Sequence, residues 1–224
     1  MTEMKIIARI RTELPEKFGV PRQSGLVPQL RGRVIFEPEY RNPDAVRGLE
    51  DFSHIWLIWQ FSRAVREGWS PTVRPPRLGG NRRMGVVATR SPFRPNALGL
   101  SSVRLDRGEL DPALGPVLHV SGADLMDGTP IFDIKPYLPY TDSHPQAAGG
   151  FTDGLAHAPL TVECSPALLE HIPADSREGL LGVLAGDPRP RYQEDPQRVY
   201  GLSFAGRNVK FTVDGDRLTV IAVE

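Results

Sequence analysis

Two arginines four residues apart lie in the segment Arg90-Ser91-Pro92-Phe93-Arg94-Pro95-Asn96-Ala97. A guanidinium is a planar fork of donors that suits carboxylates and phosphates. Pro92 and Pro95 fix φ at two points, so the forks are carried on stiff backbone. This connection is longer than a simple reversal between strands requires, and it reads either as a binding loop or as a rigid turn. A second candidate is Phe132-Asp133-Ile134-Lys135. In an extended chain Asp133 and Lys135 share one face. If that face is interior they need partners or a ligand; if it meets solvent they are an ordinary exposed pair. A third is Pro21-Arg22-Gln23-Ser24-Gly25, which adds a guanidinium and an amide. These residues describe a polar, arginine-containing site for a small anionic or zwitterionic ligand. They do not by themselves name a reaction.

The elements that must position these groups are mostly strands. Residues 84–89 and 98–105 are short, apolar and partly β-branched, and they flank the arginine loop as the two arms of a hairpin. Residues 4–11, 33–36, 117–121 and 131–137 read as further strands, with a turn at Asp127-Gly128-Thr129-Pro130. His54-Ile55-Trp56-Leu57-Ile58-Trp59-Gln60-Phe61 is an apolar and aromatic run, read as a strand buried on both faces. Asn42 and Pro43 open a short helix through Leu49. Residues 68–83, with three prolines and four arginines, form a long irregular loop. Between 138 and 158 the composition shifts to Pro, Ser, Gly, Asp and Ala, the best candidate for a linker or excursion. Beyond it come a strand at 160–164, a helix capped by Ser165 through Ile172, a helix at 177–184, and strands at 199–204, 208–213 and 218–223. The last two meet at Asp214-Gly215-Asp216, a strong hairpin signal. The fold class is therefore mainly β, with a β domain over residues 1–150 and a small α+β unit over 151–224.

Composition narrows the function classes. The chain has 224 residues, a net charge of zero and one cysteine, Cys164. No disulfide framework, cysteine-based metal site, membrane span or secretory leader is expected, and a cytoplasmic setting follows. The five histidines show no metal-ligand spacing. No glycine fingerprint joins a strand to a helix, so a Rossmann nucleotide fold is not expected. Gly99-Leu100-Ser101-Ser102 lacks the second glycine of a nucleophile elbow, and Ser101 reads as a strand residue. Charge is unevenly spread. Between Ser70 and Leu105 there are seven arginines and no acid. This is either a patch for phosphates and other anions or a solvated face balanced elsewhere in the fold.

Several stretches together resemble the TrmO/TsaA-like family of tRNA N6-threonylcarbamoyladenosine methyltransferases. They include residues 17–27, 44–61 and 68–103, the last carrying Ala-Thr-Arg-Ser-Pro-Phe-Arg-Pro-Asn at 88–96. Residues 127–140, 187–192 and 200–213 follow in the family's order. The resemblance implies a small single-sheet β-barrel that binds S-adenosylmethionine without a Rossmann fold, a small C-terminal α+β domain, and a homodimer. It implies methyl transfer to N6 of threonylcarbamoyladenosine at tRNA position 37, giving m6t6A, with no metal and no membrane. Carried over by position, the cofactor pocket comprises Arg22, Gln23, Ser24, Phe61, Ser62, Arg90, Leu100, Phe132, Asp133, Ile134 and Lys135. Asp133 is the candidate base, with the substrate's own threonyl carboxylate as the alternative. Phe93, Arg94 and Asn96 are left for the substrate. The chain departs from the family's usual pattern at Ser62, at Ala97-Leu98 and at Arg191. The competing readings are a cofactor- or RNA-binding barrel without catalysis, and a methyltransferase with a different acceptor.

Overall fold

The computed structural model describes residues 3–64, 68–75, 82–154, 158–189 and 195–224. Among them six antiparallel strands close into a barrel: β1 (Ala8–Thr12), β2 (Arg31–Phe36), β3 (His54–Gln60), β6 (Leu98–Asp111), β7 (Gly115–Ser121) and β8 (Pro130–Pro136). Their order around the barrel is β1-β2-β7-β6-β3-β8. Alternation drives closure, because every second side chain turns inward. Ile10, Val34, Ile55, Leu57, Val103, Val120 and Ile131 fill the interior and are almost fully buried. In β3 this alternation corrects the expectation of a strand buried on both faces. Ile55, Leu57 and Trp59 are buried, while Trp56 and Ile58 are only half-buried on the outer face.

The expected hairpin around the arginine loop does not form. Leu98–Arg104 of β6 pairs with β3, and Arg104–Asp111 with β7. Residues 84–89 do not join it. Only Met84–Gly85 is extended (β5), and it pairs with Thr72–Val73 (β4) in a separate two-stranded ribbon. Val86–Ala88 then forms a 3-10 turn that leads into the loop. The expected helix at 42–49 is likewise a pair of short 3-10 turns, although Asn42 does cap the first by accepting from the Asp44 amide at 3.0 Å.

The segment 138–158 is not simply a linker. Its first part forms α1 (Pro139–Asp142), which is tied to the barrel wall. The Asp142 carboxylate accepts from Trp56 Nε1 and from the Leu138 amide, both at 2.9 Å. These two bonds hold its pKa below the ordinary carboxylate range, the Leu138 amide contributing most.

The C-terminal unit is a four-stranded sheet in the order β10-β11-β12-β9, formed by β9 (Thr161–Glu163), β10 (Tyr200–Phe204), β11 (Arg207–Asp214) and β12 (Arg217–Val223). The β11–β12 turn falls at Gly215-Asp216, as its sequence demands. Two helices accompany the sheet: α2 (Pro166–Leu169), capped by Ser165 but shorter than expected, and α3 (Arg177–Ala185). This core is not built from the C-terminal segment alone. Leu14, Val27 and Leu30, from the connection between β1 and β2, are buried in it beside Leu180, Leu184, Leu202 and Phe211. Gly19, in the same connection, has φ +92°, and a Cβ there would stand 2.3 Å from Leu202 Cδ1. Only glycine fits both its backbone and its neighbour.

Candidate cofactor and substrate site

The connection between β1 and β2 spans residues 13–30 and carries Arg22, Gln23 and Ser24. It is anchored twice. Its apolar residues sink into the C-terminal core, and its backbone pairs with the end of β7: Gly25 N–H donates to Gly122 O, and Gly122 N–H to Leu30 O, each at 2.8 Å. So fixed, the loop meets the arginine loop. Arg90 Nη1 donates to Gln23 Oε1, and Gln23 Nε2 donates back to Arg22 O. Two candidates 67 residues apart thus form one couple, and Arg90 is exposed.

Beneath this couple runs a relay that the sequence did not announce. Trp59 Nε1 donates to Ser101 Oγ at 2.9 Å, and Ser101 Oγ donates to Asp124 Oδ1 at 2.5 Å. Ser101 is 1% exposed, so it is an interior polar group rather than an ordinary strand residue. Asp124 stands two residues after Gly122, whose carbonyl anchors the Gly25 amide, and it lies in the field of Arg90. Burial pushes the Asp124 carboxyl above its ordinary range; the Ser101 hydrogen bond, Arg90 and the Ser24 amide oppose that rise. At the other end, the Trp59 ring meets Phe61 edge-on at 4.3 Å. Gly99 lies opposite Trp59 in the β3–β6 register, and a Cβ there would fall 2.2 Å from Trp59 Cε2. The indole occupies that space. Phe61 N–H donates to Ala97 O at 2.9 Å, which carries the end of β3 to the exit of the arginine loop. Ser62 follows directly, its amide turned back to Gln60 O at 2.8 Å.

The later candidates gather on the outer wall of β6-β3-β8. Leu100, Ile58 and Asp133 form one cross-strand row, and Ser102, Trp56 and Lys135 the next. Leu100 is 55% exposed, unusual for a leucine in a barrel strand. Asp133 Oδ2 pairs with Lys135 Nζ at 3.0 Å, and Asp133 Oδ1 accepts from Ile134 N–H at 2.9 Å. The exposed-pair reading of these two charges is therefore the geometric one, with the pair half open to solvent beside Leu100. Ile134 turns the opposite way and packs on the barrel core. Phe132 is the bulged residue: Ile58 faces Asp133, but Trp59 faces Ile131. A bulge frees backbone groups from the ladder and redirects side chains. Strand β8 pairs with β1 only at Pro130 and Ile131, so from Phe132 onward its ladder runs to β3 alone.

At the tip of the arginine loop, Arg94 is a brace. Its Nη1 donates to Thr89 O at 2.6 Å and to Val86 O at 3.3 Å. Phe93 N–H donates to Ser91 Oγ at 3.2 Å, and the Asn96 side chain is exposed. Arg74, Arg82 and Arg83 are exposed nearby in sequence, whereas Arg77 and Arg191 lie outside the described residues.

A cleft of about 980 Å³ opens elsewhere, between the wall of β1, β2, β6 and β7 and residues 174–178. It is lined by Arg11, Arg31, Arg33, Arg104 and Arg107, but Arg31 faces Asp175 at 3.6 Å and Arg104 faces Asp106 at 3.2 Å. Its charges are largely matched, and it holds none of the candidates.

The donor set fits S-adenosylmethionine. Arg90 and Lys135 suit its carboxylate, Asp133 its ammonium or ribose, and Phe61 and Leu100 offer apolar surface for the adenine. Among the described residues no cluster of His, Cys, Asp and Glu could hold a metal, and no helix is long and apolar enough to cross a membrane.

Comparison with known proteins agrees with this architecture. Residues 9–143 match the family model of the tRNA-methyltransferase O N-terminal domain, and residues 157–224 match that of the TrmO C-terminal domain. The tRNA (adenine(37)-N6)-methyltransferase of Escherichia coli K12 is 41% identical over 226 residues, covering 97% of this chain and 96% of its own. The protein of the same name from Eikenella corrodens is 47% identical over 77% of this chain and 97% of its own. The crystal structure of TrmO from Pseudomonas aeruginosa superposes with a TM-score of 0.80 at 32% identity, covering all of this chain and 98% of that one. With both halves matched in order and the barrel shared, the chain belongs to the tRNA-methyltransferase O family.

Proposed function

We propose that this protein transfers a methyl group from S-adenosylmethionine to N6 of threonylcarbamoyladenosine at tRNA position 37, giving m6t6A, and that it works as a cytoplasmic homodimer. S-adenosylmethionine is the methyl donor of the family. Relatives named for action on adenine 37 support the nucleotide and the nitrogen. The observation that carries the site is the Arg90–Gln23 couple, seated on the Asp124–Ser101–Trp59 relay. The catalytic unit is residues 1–150, with 151–224 supporting the loop that carries Gln23.

When bound, S-adenosylmethionine supplies an electrophilic methyl on its sulfonium. In-line displacement asks mainly for alignment. Arg90 holds the carboxylate end, with Gln23 fixing the angle of the fork. Phe61 and Leu100 flank the base, and the bulged backbone at Phe132 offers groups for its polar edge. The accepting N6 is a weak nucleophile that must lose a proton, and Asp133 is the candidate base for it, with the substrate's own threonyl carboxylate as the alternative. Lys135 pairs with Asp133 at 3.0 Å and holds its carboxylate in place. Phe93 and Asn96 meet the substrate from the loop that Arg94 braces.

The test is mass spectrometry of tRNA nucleosides from a strain lacking the gene. The m6t6A peak should vanish, t6A should accumulate, and a plasmid copy should restore the parent pattern. An unchanged m6t6A peak would overturn the proposal.

A further inference from the structure

Asp124 sits where the separate pieces of the site meet. Its carboxylate accepts from Ser101 of β6, it stands two residues after Gly122, whose carbonyl accepts from the Gly25 amide in the loop that carries Gln23, and it lies in the field of Arg90. Trp59 enters through Ser101 and brings Phe61 with it. Building on the cofactor site proposed above, we infer that Asp124 is the positioning residue of that site: it anchors the loop that carries Gln23 and aims the Arg90–Gln23 couple at the carboxylate end of the cofactor.

The chemistry of the relay favours this role over plain packing. An indole N–H can only donate, so the Ser101 oxygen must accept from Trp59. The one hydroxyl proton of Ser101 is then committed to Asp124. The direction of every bond in the chain is thereby dictated, and Asp124 is its acceptor terminus. That terminus is half-buried, where an unneeded carboxylate is costly. What it returns is an electrostatic partner for an exposed guanidinium and an anchor beside the loop that carries Gln23. A structural filler would need neither. Asp124 touches neither methyl nor acceptor, so its influence passes through that loop and Arg90.

The experiment compares the full-length wild type with Asp124→Asn, Ser101→Ala and Arg90→Ala. Calorimetry gives the dissociation constant for S-adenosylmethionine, and steady-state kinetics on tRNA separate KM from kcat. Hydrogen exchange reports on peptides covering residues 19–27. Asp124→Asn should weaken cofactor binding about tenfold or more and raise the cofactor KM in step, with kcat at saturating cofactor within about threefold of wild type. Exchange should rise at 19–27 ahead of the rest of the chain. Ser101→Ala should move the same readouts in the same direction by less, and it decides the matter if Asp124→Asn does not fold. A purely structural role would lower the melting temperature without separating KM from kcat. Wild-type cofactor affinity in folded Asp124→Asn, or in Ser101→Ala where the former is unfolded, overturns the inference while Arg90→Ala is weakened. Wild-type affinity in Arg90→Ala removes the site reading itself.

Discussion

Asp124 has a measurable consequence beyond ligand binding. Burial raises its native pKa above the ordinary aspartate range, so in the window between those values the native state holds a proton that the unfolded chain has lost. Stability should therefore fall as pH rises through that window, and the lost part is regained on acidification. Glu13, raised by burial against its bond to Ser176, acts in the same direction. Urea melts from neutral pH down to about pH 4 should show wild type gaining on Asp124→Asn as pH falls; a constant difference between the two would mean that the Asp124 native pKa is not raised. The sequence marked Arg22, Gln23 and Arg90 because guanidinium and amide groups in Pro-bounded loops announce themselves. Asp124 stayed hidden because its hydrogen-bond partner Ser101 lies 23 residues away, invisible to any local pattern. Its one local signal was a lone acid between Ala123 and Leu125, both buried.

Among elements, period-2 alternation made the barrel strands legible, and the Asp-Gly-Asp turn made the last hairpin so. The hairpin at 84–105 failed for a reason no local pattern carries: the first half of β6 pairs with the distant β3, and Met84–Gly85 pairs with Thr72–Val73 instead. The β1–β2 connection was read as a polar binding loop, but its hydrophobic half is an integral part of the C-terminal core. Leu30 is 2% exposed, and α3 approaches so closely that a Cβ on Gly182 would lie 2.6 Å from Val27 Cγ1. Leu30→Ala should cost about 2–5 kcal/mol in urea unfolding, the range for a buried leucine truncated to alanine. It should also weaken S-adenosylmethionine binding by the folded protein, because the same loop presents Gln23. Full affinity with reduced stability would uncouple the C-terminal core from the cofactor loop.

At the scale of the whole molecule, net charge is zero but sorted. Residues 1–150 hold 20 basic and 16 acidic side chains, and residues 151–224 hold 7 and 11. The large cleft is lined by matched charges, whereas Arg74, Arg82, Arg83 and Arg90 are exposed along the ribbon and loop beside the candidate site. A phosphate backbone is drawn to that side. On the proposed function, the anionic cofactor end and the anionic RNA are expected on the same side of the barrel. The central claim is that this side methylates a base already carrying the threonylcarbamoyl group. Purified protein should be given radiolabelled S-adenosylmethionine and two otherwise identical tRNAs, one with threonylcarbamoyladenosine at position 37 and one with plain adenosine. Label entering only the first, and recovered as m6t6A, is the expected result. Equal label in both, or label only in plain adenosine, would contradict the account.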